Sequence, residues 1–143
     1  MNSDFVVALE ALPHGPEFRF LDAVTSLKGG ASGCAVYRVR GDEPFLAGHF
    51  PGRPMLPGVI LIEAVAQLAG VVAQTDPSIP PLRDLRLASV RSAKISGTVG
   101  PGTLIEIEAE LEGRLGGVVQ ASGRISHAGR ELLRAQVTLS GLD

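Results

Sequence analysis

Glu63 is the only ionisable residue between Pro54 and Thr75, and Leu61, Ile62, Val65 and Ala66 surround it in sequence. Burying an unpaired charge is expensive, so this carboxyl must either stay protonated or find a partner. Held protonated in an apolar setting, it is a general acid. A helix carboxylate that reaches solvent or pairs with an arginine is the competing reading. His49 stands shortly before it in a rigid Gly48-His49-Phe50-Pro51-Gly52 loop. Histidine is a natural general base near neutral pH, although a lone loop histidine is more often an ordinary polar residue. Pro57-Gly58 follows at a helix start, where free N–H groups and the helix dipole can polarise a carbonyl oxygen. Glycine there lets a ligand oxygen approach closely.

A base, an acid and a carbonyl-polarising amide fit one reaction class. A proton is removed alpha to a carbonyl, and a beta-hydroxyl leaves as water. No metal, flavin or nicotinamide is required, so no cofactor and no metal are expected. The chain has no Gly-x-Gly-x-x-Gly, P-loop, Cys-x-x-Cys, His-Glu-x-x-His or Gly-x-Ser-x-Gly motif, and its three histidines, His14, His49 and His127, are scattered.

The elements that must position these groups follow from spacing. Ser3-Asp4 can cap a short helix through Phe5–Leu12, which Pro13 and Pro16 break. Phe18 to Leu27 and Cys34 to Arg40 read as strands. The stretch 45–57 holds Gly48, Pro51, Gly52, Pro54 and Pro57, so a tightly specified loop is expected. A helix then runs from about Gly58 to Gln74, apolar nearly all round except at Glu63 and Gln67, and so surrounded by protein. Leu85 to Val90 alternates as a strand. Ile105, Ile107, Ala109 and Leu111 alternate with four glutamates; Val119 to Ser126 and Leu133 to Leu139 repeat the period of two. The expectation is one antiparallel meander with one apolar face, wrapped round the helix: an α+β fold in a single domain over 1–143. The acidic comb Glu106, Glu108, Glu110 and Glu112 reads as a solvated face balanced by Arg114, Arg124 and Arg134.

Composition agrees with one ordinary domain. The chain has 143 residues, 45% hydrophobic and 4% aromatic, with a net charge of −2, so nothing draws it to nucleic acid or an anionic membrane. Its single cysteine, Cys34, cannot form an internal disulfide. The stretch 55–73 is apolar enough to raise a membrane flag, but Glu63 and Gln67 within it favour a core helix. The start, Met-Asn-Ser-Asp-Phe, lacks the basic opening of a signal peptide, and a cytoplasmic location is expected.

Gly48-His49-Phe50-Pro51-Gly52-Arg53-Pro54-Met55-Leu56-Pro57-Gly58-Val59, followed by Ile62-Glu63-Ala64-Val65-Ala66-Gln67, closely resembles the signature of the beta-hydroxyacyl-acyl-carrier-protein dehydratases of type II fatty acid synthesis. Leu12-Pro13-His14 and Val99-Gly100-Pro101-Gly102 resemble weaker motifs of the same family. The resemblance implies a hot-dog fold and a homodimer, commonly a trimer of dimers. It makes His49 and Glu63 the catalytic pair, meeting between subunits, and the Gly58 amide the holder of the thioester carbonyl. The substrate, carried by acyl carrier protein on a phosphopantetheine arm, would enter an apolar tunnel at the dimer interface. Phe50, Pro51, Met55, Pro57, Val59 and Gln67 are the expected tunnel or loop residues. The chain departs from the family at Gly15-Pro16-Glu17, where an Arg-Tyr-Pro is usual, and at Ala93-Lys94-Ile95-Ser96, which lacks a phenylalanine. Both departures bear on tunnel shape.

Arg83, Arg86, Arg91 and Lys94 form a basic stretch that can steer an acidic carrier protein, although strand alternation would split it between two faces. The expected activity is dehydration of a (3R)-hydroxyacyl thioester to the trans-2-enoyl thioester. A hot-dog thioesterase, a non-catalytic acyl-binding module and a dehydratase of a polyketide or polyene pathway are the alternatives.

Overall fold

The computed structural model describes residues 9–142. The expected helix over Phe5–Leu12 lies mostly outside them. Two 3-10 turns (Pro16–Phe18 and Pro44–Ala47), one helix α1 (Gly58–Gln74) and six strands follow: β1 (Ala23–Lys28), β2 (Ser32–Arg38), β3 (Arg83–Ile95), β4 (Leu104–Leu115), β5 (Val118–His127) and β6 (Arg130–Leu142). The strands form one sheet in the order β1-β2-β4-β5-β6-β3, with every pairing antiparallel. The sheet wraps α1, which touches β2 through β6. This is the hot-dog arrangement.

Helix α1 forms where its spacing places it. Ile60, Leu61, Ala64, Val65, Ala66, Leu68, Ala69, Val71, Val72 and Ala73 are buried on nearly every side. The end is set by Thr75, whose hydroxyl donates back to Val71 O at 2.8 Å, and by Asp76-Pro77 beyond it. The sheet supplies the matching surface. Ile105, Ile107, Val119, Ala121, Ile125, Leu133, Ala135, Val137 and Leu139 are all buried. Helix and sheet approach closely at Gly123, where a Cβ would stand 2.3 Å from Val65 Cγ1. No helix among the described residues is long and apolar enough to cross a membrane.

Four expectations change. The meander is limited to β4-β5-β6. Strand β3 lies on the outer side of β6, and the β1-β2 hairpin joins at β4. The reason is the path of residues 96–103. It leaves β6 at Ser96, which donates to Leu132 O, passes Leu56, which donates to Val99 O, and reaches β2's end, where Val39 donates to Thr103 O.

The first strand begins at Ala23 rather than Phe18, because Phe20 gives its N–H to a side chain, Gln67, instead of a neighbouring strand. Strand β3 runs well past Val90, and along it only Leu85 is buried and Leu87 half-buried. Beyond them it is an exposed sheet edge.

The acidic comb is balanced differently from the expectation. Arg124 does pair with Glu108, and Arg91 pairs with Glu112. Arg134 turns instead to Glu131, and Arg114 donates to the carbonyls of Ala73 and Pro80.

Candidate active site

The loop before α1 is held by its own backbone. His49 N–H donates to Leu46 O, Phe50 and Arg53 exchange N–H to O bonds, and Met55 N–H donates to His49 O at 2.7 Å. The His49 ring then makes one contact that sets its chemistry. Nδ1 lies 2.9 Å from Met55 O. A carbonyl only accepts, so Nδ1 carries a proton, and in the neutral ring Nε2 presents a lone pair. The Phe50 ring stacks on the imidazole at 4.2 Å between centroids.

Behind this loop lies a second support. Glu43, 2% exposed, accepts from the Tyr37 hydroxyl at 2.5 Å, from Gly41 N–H at 2.7 Å and from Arg40 N–H at 3.1 Å. Burial opposes ionisation of Glu43. The Tyr37 hydroxyl and the backbone N–H groups outweigh it and hold the carboxyl below its usual range. Burial, reinforced by Glu43, pushes the Tyr37 hydroxyl up, so it remains a donor. The turn that launches the His49 loop is thereby pinned to β2.

Glu63 projects from the second turn of α1 into a cavity of about 510 Å³. Leu12, Ala66, Gly70, Leu85, Leu87 and Leu139 give it apolar walls, and Gln67, Gln74, Asp84 and Arg86 line it too. The partner that a carboxyl on this helix requires is present twice over. Gln67 Nε2 donates to Glu63 Oε2 at 3.0 Å, and His14 Nε2 lies 3.3 Å from the same oxygen. Glu63 Oε1 makes no hydrogen bond among the described residues.

Of the residues picked out in the sequence, Glu63, Gln67 and Arg86 meet at this cavity. His49, Phe50, Pro51, Met55, Pro57, Gly58 and Val59 do not line it. Phe50 and Val59 are exposed instead. The Gly58 N–H, at the first position of α1, has no hydrogen-bond partner among the described residues. Its Cα is overlain by Ile95, so that a Cβ there would stand 2.6 Å from Ile95 Cδ1. Within one chain, His49 and Glu63 are therefore not brought together. The basic stretch is also divided: Arg86 faces the cavity, while Arg91 is engaged by Glu112.

Sequence reasoning missed His14 and Phe18, which stack on each other at the cavity wall. The available signal was the weak Leu12-Pro13-His14 match.

A family model described as the FabA-like domain matches residues 12–136. The chain belongs to the FabA-like family. Within it, the 3-hydroxyacyl-[acyl-carrier-protein] dehydratase FabZ of Thiobacillus denitrificans is 32% identical over 136 residues, covering 94% of each chain. FabZ of an Anaeromyxobacter species is 36% identical over 117 residues, covering 78% of this chain and 73% of that one. Among solved structures, the dehydratase heterocomplex ApeI:P from Xenorhabdus doucetiae superposes with a TM-score of 0.81 at 21% identity, over 95% of this chain and 91% of that one. That likeness supports the hot-dog fold of the family member described here.

Proposed function

We propose that this protein is a dehydratase that converts (3R)-hydroxyacyl thioesters, carried on acyl carrier protein, to trans-2-enoyl thioesters in fatty acid or related lipid synthesis. The observation that carries the reading is Glu63, a lone carboxyl on an apolar helix, with one oxygen held and the other left open beside an acyl-sized cavity. His49 Nε2 takes the C2 proton. The electron pair of that C–H bond becomes the C2=C3 double bond as the C3–O bond breaks. Glu63 gives its proton to the departing hydroxyl, which leaves as water. The free Gly58 N–H holds the thioester oxygen, where negative charge builds as C2 loses its proton.

His49 and Glu63 do not meet within one chain, so the reading requires a dimer in which each site takes one from each subunit. The exposed edge of β3, with Val90 and Ile95 exposed along it, and the exposed Val59 and Phe50 support such a contact. Phe50, Pro51, Met55, Pro57 and Val59 would then line the entrance that Gln67 closes from the other side. Arg83, Arg86 and Lys94 are the proposed carrier-protein contacts. The protein acts as one catalytic domain in the cytoplasm.

The test is enoyl-thioester absorbance with 3-hydroxyacyl carrier-protein substrates of several lengths. His49→Ala and Glu63→Gln should each lower turnover by at least about 1000-fold while the protein stays folded. Near-normal rates in both would overturn the assignment, and release of free thiol without enoyl product would mark a thioesterase.

A further inference from the structure

His14 has no part in the chemistry described so far, yet its ring is the second group on the acid. Three observations define what it can do there. First, the Gln67 amide cannot turn over. Its Oε1 accepts Phe20 N–H at 2.8 Å and its Nε2 donates to Phe18 O at 2.9 Å, so an N–H always points at Glu63 Oε2. Second, His14 Nδ1 is buried and has no hydrogen-bond partner among the described residues, while Nε2 lies 3.3 Å from Glu63 Oε2. A proton on Nδ1 would bury an N–H against no acceptor. It would also require Glu63 to give its own proton, from the oxygen Gln67 already holds, to the imidazole rather than to a substrate. A proton on Nε2 avoids both, leaving only a bare lone pair at Nδ1. Third, the ring is fixed. It stacks on Phe18 with centroids 6.0 Å apart, and Arg19 Nε donates to the His14 carbonyl at 2.8 Å.

We propose that His14 is a positioning residue for Glu63: its Nε2–H and the Gln67 amide together hold Oε2 and leave Oε1 to carry and deliver the acid proton. The proposal rests on the reading of Glu63 as the acid. In the step itself, the Oε1–H bond breaks, the proton joins the leaving hydroxyl, and Oε2 keeps the Gln67 N–H bond and the His14 Nε2 contact throughout. The carboxyl therefore neither rotates nor divides its proton between two oxygens. Gln67 is a poor residue with which to test this, because it also ties down Phe18 and Phe20. Glu63 is the one residue that the His14 ring meets through a polar atom among the described residues, while the Arg19 bond goes to the His14 backbone, so the effect of the ring is separable.

The experiment compares full-length His14→Phe, His14→Gln and Glu63→Gln with the wild-type protein. It measures kcat and KM for a 3-hydroxyacyl carrier-protein thioester, with a thermal melt of each variant. Phenylalanine keeps the ring and its stacking but removes the donor; glutamine returns an N–H at the reach of Nε2. His14→Phe should lower kcat about 10- to 100-fold with KM changed less than about threefold, and His14→Gln should recover most of the loss. Wild-type kcat in His14→Phe, an equal loss in both variants, or a loss confined to KM would overturn the proposal. Should His14→Phe fail to fold, long-range proton–nitrogen spectra of the wild-type protein, with His14 assigned through His14→Gln, decide. An Nε2–H imidazole supports the proposal, and an Nδ1–H imidazole overturns it. Turnover retained in Glu63→Gln would instead sink the reading of Glu63. An inactive Glu63→Gln beside a fully active His14→Phe would sink the role of His14 alone.

Discussion

Gln67 Oε1 accepts the backbone N–H of Phe20 at 2.8 Å, across 47 positions of chain. Through this bond, and through the donation of its Nε2 to Phe18 O, one side chain that is 1% exposed joins the segment ahead of β1 to the middle of α1. The same amide orients the carboxyl of Glu63. A polar residue in an otherwise apolar helix is retained here because each of its hydrogen-bonding groups finds a partner.

Gln67→Met keeps the length of the side chain and removes those partners. Phe20 N–H and Phe18 O are then left unsatisfied, which costs about 2–4 kcal/mol. Urea unfolding checks this, and an unchanged midpoint would show that water replaces the lost bonds.

The carboxyl of Glu43 titrates in a direction that can be tested. Its folded value lies below the ordinary 4.5, so its contribution is present above that value and lost as pH falls through the lower folded one. Glu43→Gln sets an N–H against converging donors, and at pH 7 it should unfold about 2–3 kcal/mol more easily than the wild-type protein. That gap should close on acidification below the ordinary value. A gap that stays constant down to strongly acid pH would contradict the linkage.

Two dead variants should revive one another. In a mixed dimer of His49→Ala and Glu63→Gln chains, one site draws both intact residues and the other draws neither. Random reassortment makes half of the dimers mixed, so equal mixing should restore about a quarter of wild-type turnover if the pair forms across a two-fold interface. Complete inactivity after confirmed subunit exchange would mean that the pair forms within one chain. Sedimentation of the same samples separates dimer from hexamer.

Gly123→Ala tests a close approach of helix to sheet. The added methyl would meet Val65 Cγ1 at 2.3 Å and Glu108 O at 2.8 Å, and the second of these is backbone that cannot swing aside. Overpacking of this kind costs about 1–3 kcal/mol, read as a lowered unfolding midpoint. A midpoint equal to the wild type would mean that α1 lifts freely from β5.

Much of the architecture was legible because burial leaves a period in the sequence. The ends of α1 coincide with Pro57-Gly58 and with Gln74, where apolar character stops. The alternation in β4, β5 and β6 matches most of their buried faces, as at Ile105, Ile107 and Ala109, although Leu111 and Gly123 are only partly buried and Leu132 is buried beside Leu133. Strand β3 was read short because its later residues, such as Val90 and Lys94, face no core and carry no alternation to detect. Its place beyond β6 was hidden for a related reason. A period records that a face is covered, not which strand lies alongside.

The sequence by itself determined the helix, the covered sheet face, and the isolation of Glu63 among apolar neighbours, since each is a local consequence of residue type and spacing. Only the tertiary structure decided what stands beside that carboxyl. His14 reaches Glu63 across 49 positions because the chain path folds the segment before β1 over α1, and no local pattern encodes such a meeting. The separation of His49 from Glu63 within one chain was decided the same way: 14 positions in sequence do not bring together a loop held to its own backbone and a side chain turned toward the cavity along α1.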